Sequence, residues 1–206
     1  MAANTTPRHP PISYHVFMML LTLLFMLTLQ AVLATTNTSQ TYENYIITSC
    51  NSTTYPQLCY TSLSPYASKI KANPKKLCKT SLSLGLEAAQ NASSIVSKQL
   101  IKQKGSLTNS ETAVIKDCIV NIKNSIDELR ESLDAMDKLS GWDKEFQMSN
   151  IKTWVSAALT DENTCLDGFE EGQEISEKVK NKVRKRILEV ARLTSNALYL
   201  INNLNY

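Results

Sequence analysis

The sequence predicts an all-α protein in which an up-and-down four-helix bundle follows a short, disulfide-stapled N-terminal helical hairpin. Four segments of about 30 residues each keep apolar residues three and four positions apart, the spacing of an amphipathic helix. No long stretch alternates between apolar and polar residues, so we expect almost no β-structure. Short connections marked by Gly105, Gly141 and Gly172 separate the segments, and such loops join antiparallel neighbours in a bundle.

The first 34 residues have the pattern of a secretory signal peptide. Arg8 precedes an apolar run from Val16 to Leu29, and the small residues of Ala31–Ala34 suit a cleavage site. A retained membrane anchor is the alternative, because Ile12–Ala34 is just long enough to span a bilayer. Either interpretation places residues 35–206 outside the cytosol.

Residues 35–206 have the length of one domain. They keep 21 of the 22 basic residues, all but Arg8, against all 19 acidic ones, a formal charge of +2. This balance indicates no nucleic-acid partner. Both histidines, His9 and His15, precede the predicted cleavage point, so we expect no histidine-based catalytic site, no metal site and no cofactor.

The hairpin is predicted at about residues 43–72. After a polar, frayed segment at Thr35–Tyr42 we expect a short helix at about Glu43–Cys50. A second short helix begins with Pro56 in its first turn and continues towards Tyr66, since proline suits the first turn of a helix.

The bundle is predicted at about residues 73–204. Asn73-Pro74 starts its first helix, which runs to Lys104, and a capping box of Thr108 and Glu111 starts the second. The four predicted helices are Pro74–Lys104, Asn109–Leu139, a third that ends near Glu171 with a disturbed turn at Thr160–Thr164, and Gln173–Asn203. A coiled-coil dimer is the alternative, but the short connections favour a bundle within one chain.

Apolar stripes on the second and third bundle helices each contain one cysteine. The stripe of the second holds Cys118, Ile122, Ile126, Leu129, Leu133 and Met136, and that of the third holds Ile151, Trp154, Val155, Ala158, Leu159, Cys165, Leu166 and Phe169. Two helices that face each other would bring Cys118 and Cys165 together, and we interpret Trp154 as a core residue. Trp142, beside a loop, has no clear assignment.

Five cysteines in an oxidising compartment are expected to form bridges. With one left free, 15 two-bridge patterns are possible, and spacing alone does not choose among them. We favour Cys50 with Cys59, which flank the hairpin turn, and Cys118 with Cys165. Cys78 is then a buried thiol or, alternatively, the site of an intermolecular bridge.

Two surface features are ambiguous from sequence alone. Sequons at Asn37, Asn51 and Asn91 are candidate glycosylation sites. The range Lys178–Arg186 holds six basic residues in nine. We interpret it as a solvated helix face, rather than as a nucleic-acid site.

Several motifs together resemble the plant invertase and pectin methylesterase inhibitor family, especially its pectinesterase inhibitor and 21 kDa protein-like branch. The resemblance extends from Tyr45 to Asn203. The motifs are Cys50 followed by Thr54-Tyr55-Pro56 and Cys59, Asp117-Cys118, Trp154-Val155-Ser156-Ala157-Ala158-Leu159-Thr160, Thr164-Cys165-Leu166-Asp167-Gly168-Phe169-Glu170, and Ser195-Asn196-Ala197-Leu198.

The resemblance implies a secreted protein of the apoplast or cell wall that is an inhibitor, not an enzyme, and that covers the pectin-binding cleft of pectin methylesterase in a one-to-one complex. It also makes pectin the anionic polymer to which Lys178–Arg186 would be weakly attracted. It implies the same two bridges, Cys50–Cys59 and Cys118–Cys165, and Cys78 departs from its four-cysteine pattern. The positions that match the family's contacts are Asp127, Thr160, Thr164 and Asp167, with Asp161 adjacent. Taken singly, each aspartate is also typical of ordinary solvated helix surface.

Other functions remain open at this point. Invertase inhibitors of the same fold often carry Pro-Lys-Phe between the second and third bundle helices, where this chain has Lys138–Asp143 and no proline, so acid invertase is the alternative target. Val120 and Asn124 stand where some inhibitors carry acids, which leaves room for a non-inhibitory interaction protein. A pectinesterase is disfavoured, because the chain has no room for the catalytic domain.

Overall fold

A computed structural model describes residues 12–102, 105–170 and 175–205. Its helices are α1 (Ile12–Cys50), α2 (Pro56–Leu63), α3 (Ala67–Ile70), α4 (Pro74–Lys102), α5 (Asn109–Lys138), α6 (Lys144–Asp167) and α7 (Glu177–Asn202), with a 3₁₀ turn at Ser64–Tyr66. Those residues contain no strand. The chain divides into two compact units, Met1–Thr41 and Tyr42–Tyr206, and the second contains the hairpin and the bundle.

The first helix is much longer than the sequence predicts. The expected helix at Glu43–Cys50 is the end of α1, and the segment Thr35–Tyr42, which we expected to be frayed, is helical as well. No proline or glycine occurs between Ile12 and Cys50, so no residue with a strong helix-breaking effect interrupts the backbone.

The hairpin is closed by a disulfide bridge and attached to the bundle by one asparagine. Cys50 and Cys59 form the predicted bridge, with their Cα atoms 5.5 Å apart. Asn196 of α7 accepts a hydrogen bond from the Tyr55 N–H at 2.9 Å and donates one to the Tyr55 carbonyl, also at 2.9 Å. This paired contact explains how a hairpin too small to be stable alone is held in place.

The predicted start signals of α4 and α5 are confirmed. The side chain of Asn73 accepts the Lys76 N–H at 2.9 Å, one residue before Pro74. At the start of α5, the Thr108 hydroxyl accepts the Glu111 N–H and the Glu111 carboxylate accepts the Thr108 N–H, a complete capping box. Both motifs satisfy N–H groups that lack partners in the first turn.

Glu111 also joins two helices that are distant in sequence. Its second carboxylate oxygen accepts the backbone N–H of Ser176, immediately before α7, at 2.8 Å. These hydrogen bonds, first that of Ser176 and then that of Thr108, lower the pKa of Glu111. The carboxylate therefore stabilises the bundle in its ionised form.

The third and fourth bundle helices differ in detail from the prediction. Residues 160–164 are continuous helix, so the prediction of a disturbed turn there is wrong. The Thr160 and Thr164 hydroxyls donate to carbonyls one turn back, an arrangement a helix accommodates. Helix α6 ends at Asp167 and α7 begins at Glu177, while the predicted boundaries at Glu171 and Gln173 lie outside the described residues.

The four long helices pack as one bundle within the chain, as predicted. Helix α5 packs against α4 and α6, and α7 packs against α4 and α6. The buried side of α5 consists of Val114, Ile115, Cys118, Ile122, Ser125, Leu129, Ser132 and Met136. Ile126 and Leu133, which the sequence assigns to this stripe, are only partly buried. The side of α5 that faces the core includes Ser125 and Ser132 instead.

The structure shows the environments of one cysteine and both tryptophans. Cys78 is a free thiol that is 2% exposed in the core. Trp154 is half-buried, so its assignment to the core is wrong; it lies at the edge of the α6 stripe beside the buried Val155. Trp142 is almost fully exposed.

Candidate partner-binding face

A disulfide bridge fixes α5 against α6. Cys118 and Cys165 are joined as predicted, with their Cα atoms 4.4 Å apart. A buried hydrogen bond from the Ser125 hydroxyl to the Glu162 carboxyl, 2.7 Å long, connects the same helices further along. The outward sides of the two helices therefore form one rigid surface, the α5–α6 face, which we define by Val120, Asn124, Asp127, Thr160, Thr164 and Asp167.

On α6 this face is a row of oxygen-bearing side chains. Thr160, Thr164 and Asp167 are four and three residues apart, lie on one side of the helix and are all exposed. The threonine hydroxyls donate to the carbonyls of Ser156 and Thr160, at 2.9 and 2.8 Å. Their hydrogen atoms point back to the helix, so the row presents mainly hydrogen-bond acceptors to a partner.

On α5 the face has the same spacing with different chemistry. Val120, Asn124 and Asp127 are again four and three residues apart and exposed, and Val120 is 56% exposed. Asp127 makes an exposed ion pair with Arg130 one turn later, which neutralises part of its charge. This side therefore combines an apolar, an amide and a paired carboxylate group.

Asp161, the fifth predicted contact residue, differs from the other four. It is half-buried, and burial raises its pKa, an effect that a hydrogen bond with Asn124 partly offsets. The structure therefore brings Asp127, Thr160, Thr164 and Asp167 to the exposed face and places Asp161 between the helices.

Two glutamates beneath the face were missed by sequence reasoning. Glu162 is fully buried and accepts hydrogen bonds from the hydroxyls of Ser125 and, at 2.9 Å, of Thr194 on α7. Burial raises its pKa to about 8. The pKa of Glu128 is raised to about 7, mainly by burial and further by the negative charges of Asp161 and Asp127.

A sequence signal for Glu162 existed. It lies four residues after Ala158 and three before Cys165, so it occupies a core position of the α6 stripe. A glutamate at such a position predicts either a hydrogen-bonded buried carboxyl or a break in the stripe. One Glu162 oxygen and one Glu128 oxygen are buried without a hydrogen-bond partner among the described residues, consistent with carboxyls held in the neutral form.

Comparison with known proteins assigns the family. The sequence profile described as plant invertase/pectin methylesterase inhibitor matches residues 44–200. The chain belongs to this family. This match confirms the predicted family.

Relatives of this chain include two plant proteins. It is 45% identical over 172 residues to pectinesterase inhibitor 10 of Arabidopsis thaliana, covering 82% of this chain and 54% of that protein. It is 47% identical over 164 residues to the 21 kDa protein of Daucus carota, covering 78% of this chain and 83% of that protein. The chain thus spans about half of the first relative and most of the second.

A solved structure supports the fold of the inhibitor. The bundle resembles a crystal structure of a mutant pectin methylesterase inhibitor from Arabidopsis with a TM-score of 0.56 and 23% identity, over 76% of this chain and 94% of that one. In the described parts of the inhibitor, no helix is both long and apolar enough to cross a membrane. The same residues contain no group of three or more histidine, cysteine or acidic side chains that could hold a metal ion.

The candidate glycosylation sites occupy different environments in the inhibitor. Asn51 is exposed in the hairpin turn and Asn91 is exposed on α4. The side chain of Asn37 lies outside those that the structure describes. Thr53 is the third residue of the Asn51 sequon. It is buried, and its hydroxyl donates a hydrogen bond to the Cys50 carbonyl at 2.8 Å.

Proposed function

We propose that the chain is a secreted inhibitor of pectin methylesterase that covers the enzyme's pectin-binding cleft in a one-to-one complex. The observation that supports this most is the α5–α6 face, where a disulfide bridge holds two matched rows of exposed side chains. Its rigidity means that little conformational entropy is lost when a partner binds. The inhibitor supplies no catalytic group, since blocking the cleft is sufficient.

The chemistry of the face suits a polar cleft with basic residues. Thr160, Thr164 and Asp167 offer acceptors in one row, and the nearby Asp127 adds a carboxylate. A carboxylate that is desolvated against a cation contributes more than the ~0 to 1 kcal/mol of an exposed pair. The exposed Val120 adds apolar contact area where some family members carry an acid.

The decisive experiment titrates a panel of pectin methylesterases and an acid invertase with the purified, oxidised protein comprising residues 35–206. Each enzyme is tested at a mildly acidic and a near-neutral pH. Stoichiometric loss of methylesterase activity alone supports the proposal. Loss of invertase activity alone reassigns the target, and no effect on either enzyme favours a non-inhibitory interaction protein.

A pair of variants then tests the face itself. Thr164→Lys places a cation in the centre of the acceptor row, and we expect roughly tenfold weaker inhibition or more, because an unpaired charge at an interface is costly to desolvate. Gln90→Lys adds the same charge at an exposed position of α4, outside the face. Equal inhibition by both variants would show that the enzyme binds elsewhere.

Acid invertase is the second candidate target, because the family's own description includes invertase inhibitors. The connection Lys138–Asp143 lacks the Pro-Lys-Phe sequence that many of those inhibitors carry, which favours the methylesterase. Secretion with removal of the first 34 residues is also part of the proposal. N-terminal sequencing of the protein from the medium of plant cells that express the full chain should begin at or near Thr35.

A further inference from the structure

A strongly cationic groove lies between the end of α4 and the first half of α7. Its volume is about 370 Å³, and five of its six lining residues are basic. The lining consists of Ile95, Lys98, Lys102, Lys182, Lys185 and Arg186. All five basic side chains are exposed.

This concentration of charge is local. Residues 35–206 carry a formal charge of only +2, whereas the described residues that line the groove include no acidic one. Arg186 also contacts the Glu189 carboxylate at 3.5 Å, one turn away on the same helix. A concave surface of one sign focuses the electrostatic field and attracts a polyanion more than its net charge suggests.

The groove and the α5–α6 face lie on opposite sides of the bundle. Helix α4 packs against α5 and α7, and α6 packs against the same two helices. In such a four-helix arrangement the α4–α7 pair is opposite the α5–α6 pair. A ligand in the groove would therefore leave the α5–α6 face free.

We propose that the groove binds unesterified homogalacturonan, a linear polymer that carries one carboxylate on each sugar. The lining combines the apolar Ile95 side chain with lysine side chains, whose methylene stems are apolar and whose ammonium groups are charged. A polyuronate has the complementary pattern, since apolar C–H faces of its sugar rings alternate with carboxylates along one chain.

This ligand rests in part on the proposed function, because a pectin methylesterase converts neutral methyl esters into these carboxylates. The groove would hold the inhibitor on wall regions that have already been de-esterified. Lys98 and Lys102 are one turn apart, about 6 Å along the helix axis, and the cations of α7 face them across the groove. A polymer that follows the groove would contact both rows.

The test compares binding of the oxidised protein to immobilised polygalacturonate, to highly methyl-esterified pectin and to dextran sulfate. We expect binding to polygalacturonate that weakens as salt rises from about 50 to about 200 mM, because released counterions oppose it at higher salt. Little binding to esterified pectin is expected. Equal binding to dextran sulfate would contradict a polyuronate site and indicate a general polyanion surface.

Matched variants locate the site. The triple variant Lys98→Gln, Lys102→Gln, Lys185→Gln should bind polygalacturonate roughly tenfold more weakly, since three partly exposed ion pairs are lost. The control Lys69→Gln, Lys71→Gln, Lys76→Gln removes the same charge at exposed positions of the hairpin and the start of α4. Equal weakening in the two variants would overturn the proposal.

Inhibition is measured separately for the same proteins, with a soluble pectin substrate at a salt concentration that suppresses polymer binding. If the protein binds polygalacturonate but inhibits no methylesterase, the groove is supported and the proposed function fails. If it inhibits but does not bind, only the groove fails. Circular dichroism confirms that each variant is folded, so loss of binding cannot be attributed to unfolding.

Discussion

Glu162 should make the protein less stable as the pH rises from mildly acidic to neutral. Its carboxyl is fully buried, and its pKa in the folded state is about 8, compared with an ordinary value of 4.5. Between these two values the folded protein keeps a proton that the unfolded chain has released. The free energy of unfolding therefore falls with rising pH in this window and becomes level above the folded-state pKa.

The size of the effect follows from the width of the window. From pH 4.5 to pH 7 the stability falls by about 1.4 kcal/mol per pH unit, or about 3 kcal/mol in total. For a protein of this length, that corresponds to a decrease of roughly 10 °C in Tm. Glu162→Gln removes the titration but keeps an oxygen that accepts from the Ser125 and Thr194 hydroxyls.

The assay is urea unfolding of both proteins at matched ionic strength from pH 4.5 to pH 8, with the disulfide bridges intact. At pH 4.5 the free energies of unfolding of the wild type and the variant should differ by no more than about 1 kcal/mol. Between pH 4.5 and pH 7 the wild type should lose about 3 kcal/mol of stability that the variant keeps. Glu128 and Asp161 are present in both proteins, so their contributions largely cancel.

Parallel stability curves for the wild type and Glu162→Gln would refute this reasoning, because they would show that Glu162 takes up no proton on folding. A wild-type stability that rises between pH 5 and pH 7 would refute it as well. Glu145→Gln changes an exposed carboxyl in the first turn of the same helix and serves as the matched control. It should follow the wild-type profile.

Three further predictions concern other buried groups. Glu111→Gln should lower the free energy of unfolding by about 1 kcal/mol at pH 7, because the ionised carboxylate accepts the Ser176 N–H. The folded-state pKa of Glu111 is lowered, so this stabilisation is lost as the pH falls, and urea unfolding near pH 3 should show a smaller difference. Gly85→Ala should raise Tm by roughly 2 to 4 °C, since alanine favours helix by about 1 kcal/mol. The new Cβ would meet the Thr194 hydroxyl at an ordinary 3.6 Å, and a decrease in Tm measured by calorimetry would contradict this. Burial raises the pKa of the Cys78 thiol to about 12, so a thiol reagent should label one group in the denatured, unreduced protein and none in the native protein. Two or more labelled groups would contradict the two-bridge pattern.

The bundle could be predicted in considerable detail because its signals are local. Asn73-Pro74 and the Thr108–Glu111 box act within one helical turn, so the start of each helix follows from a few neighbouring residues. The bridge between Cys118 and Cys165 was predictable because each cysteine lies in an apolar stripe. The extension of α1 could not be predicted from the polar composition of Thr35–Tyr42, because polar residues allow a helix to continue where no proline or glycine interrupts it.

The candidate site was predicted less completely. Helical periodicity predicts the exposure of four of the contact residues, Asp127, Thr160, Thr164 and Asp167. The same periodicity gives no reason to place Asp161 between the helices. In a bundle each helix packs against two neighbours, so its buried side is wide. Adjacent positions at the edge of a stripe, such as those of Trp154, are then difficult to assign.

By itself, the sequence determined the helical class, the bundle order, the hairpin and the family. These properties depend on periodicity, capping residues and cysteine positions, which each helix carries within its own residues. Only the tertiary structure revealed the burial of Glu162, which raises its pKa, and the cationic groove. Glu162 is stabilised by hydroxyls 37 and 32 positions away, and the groove combines cations from two helices. Such sites exist only where helices meet, because burial and electric field depend on groups that are close in space rather than in the chain.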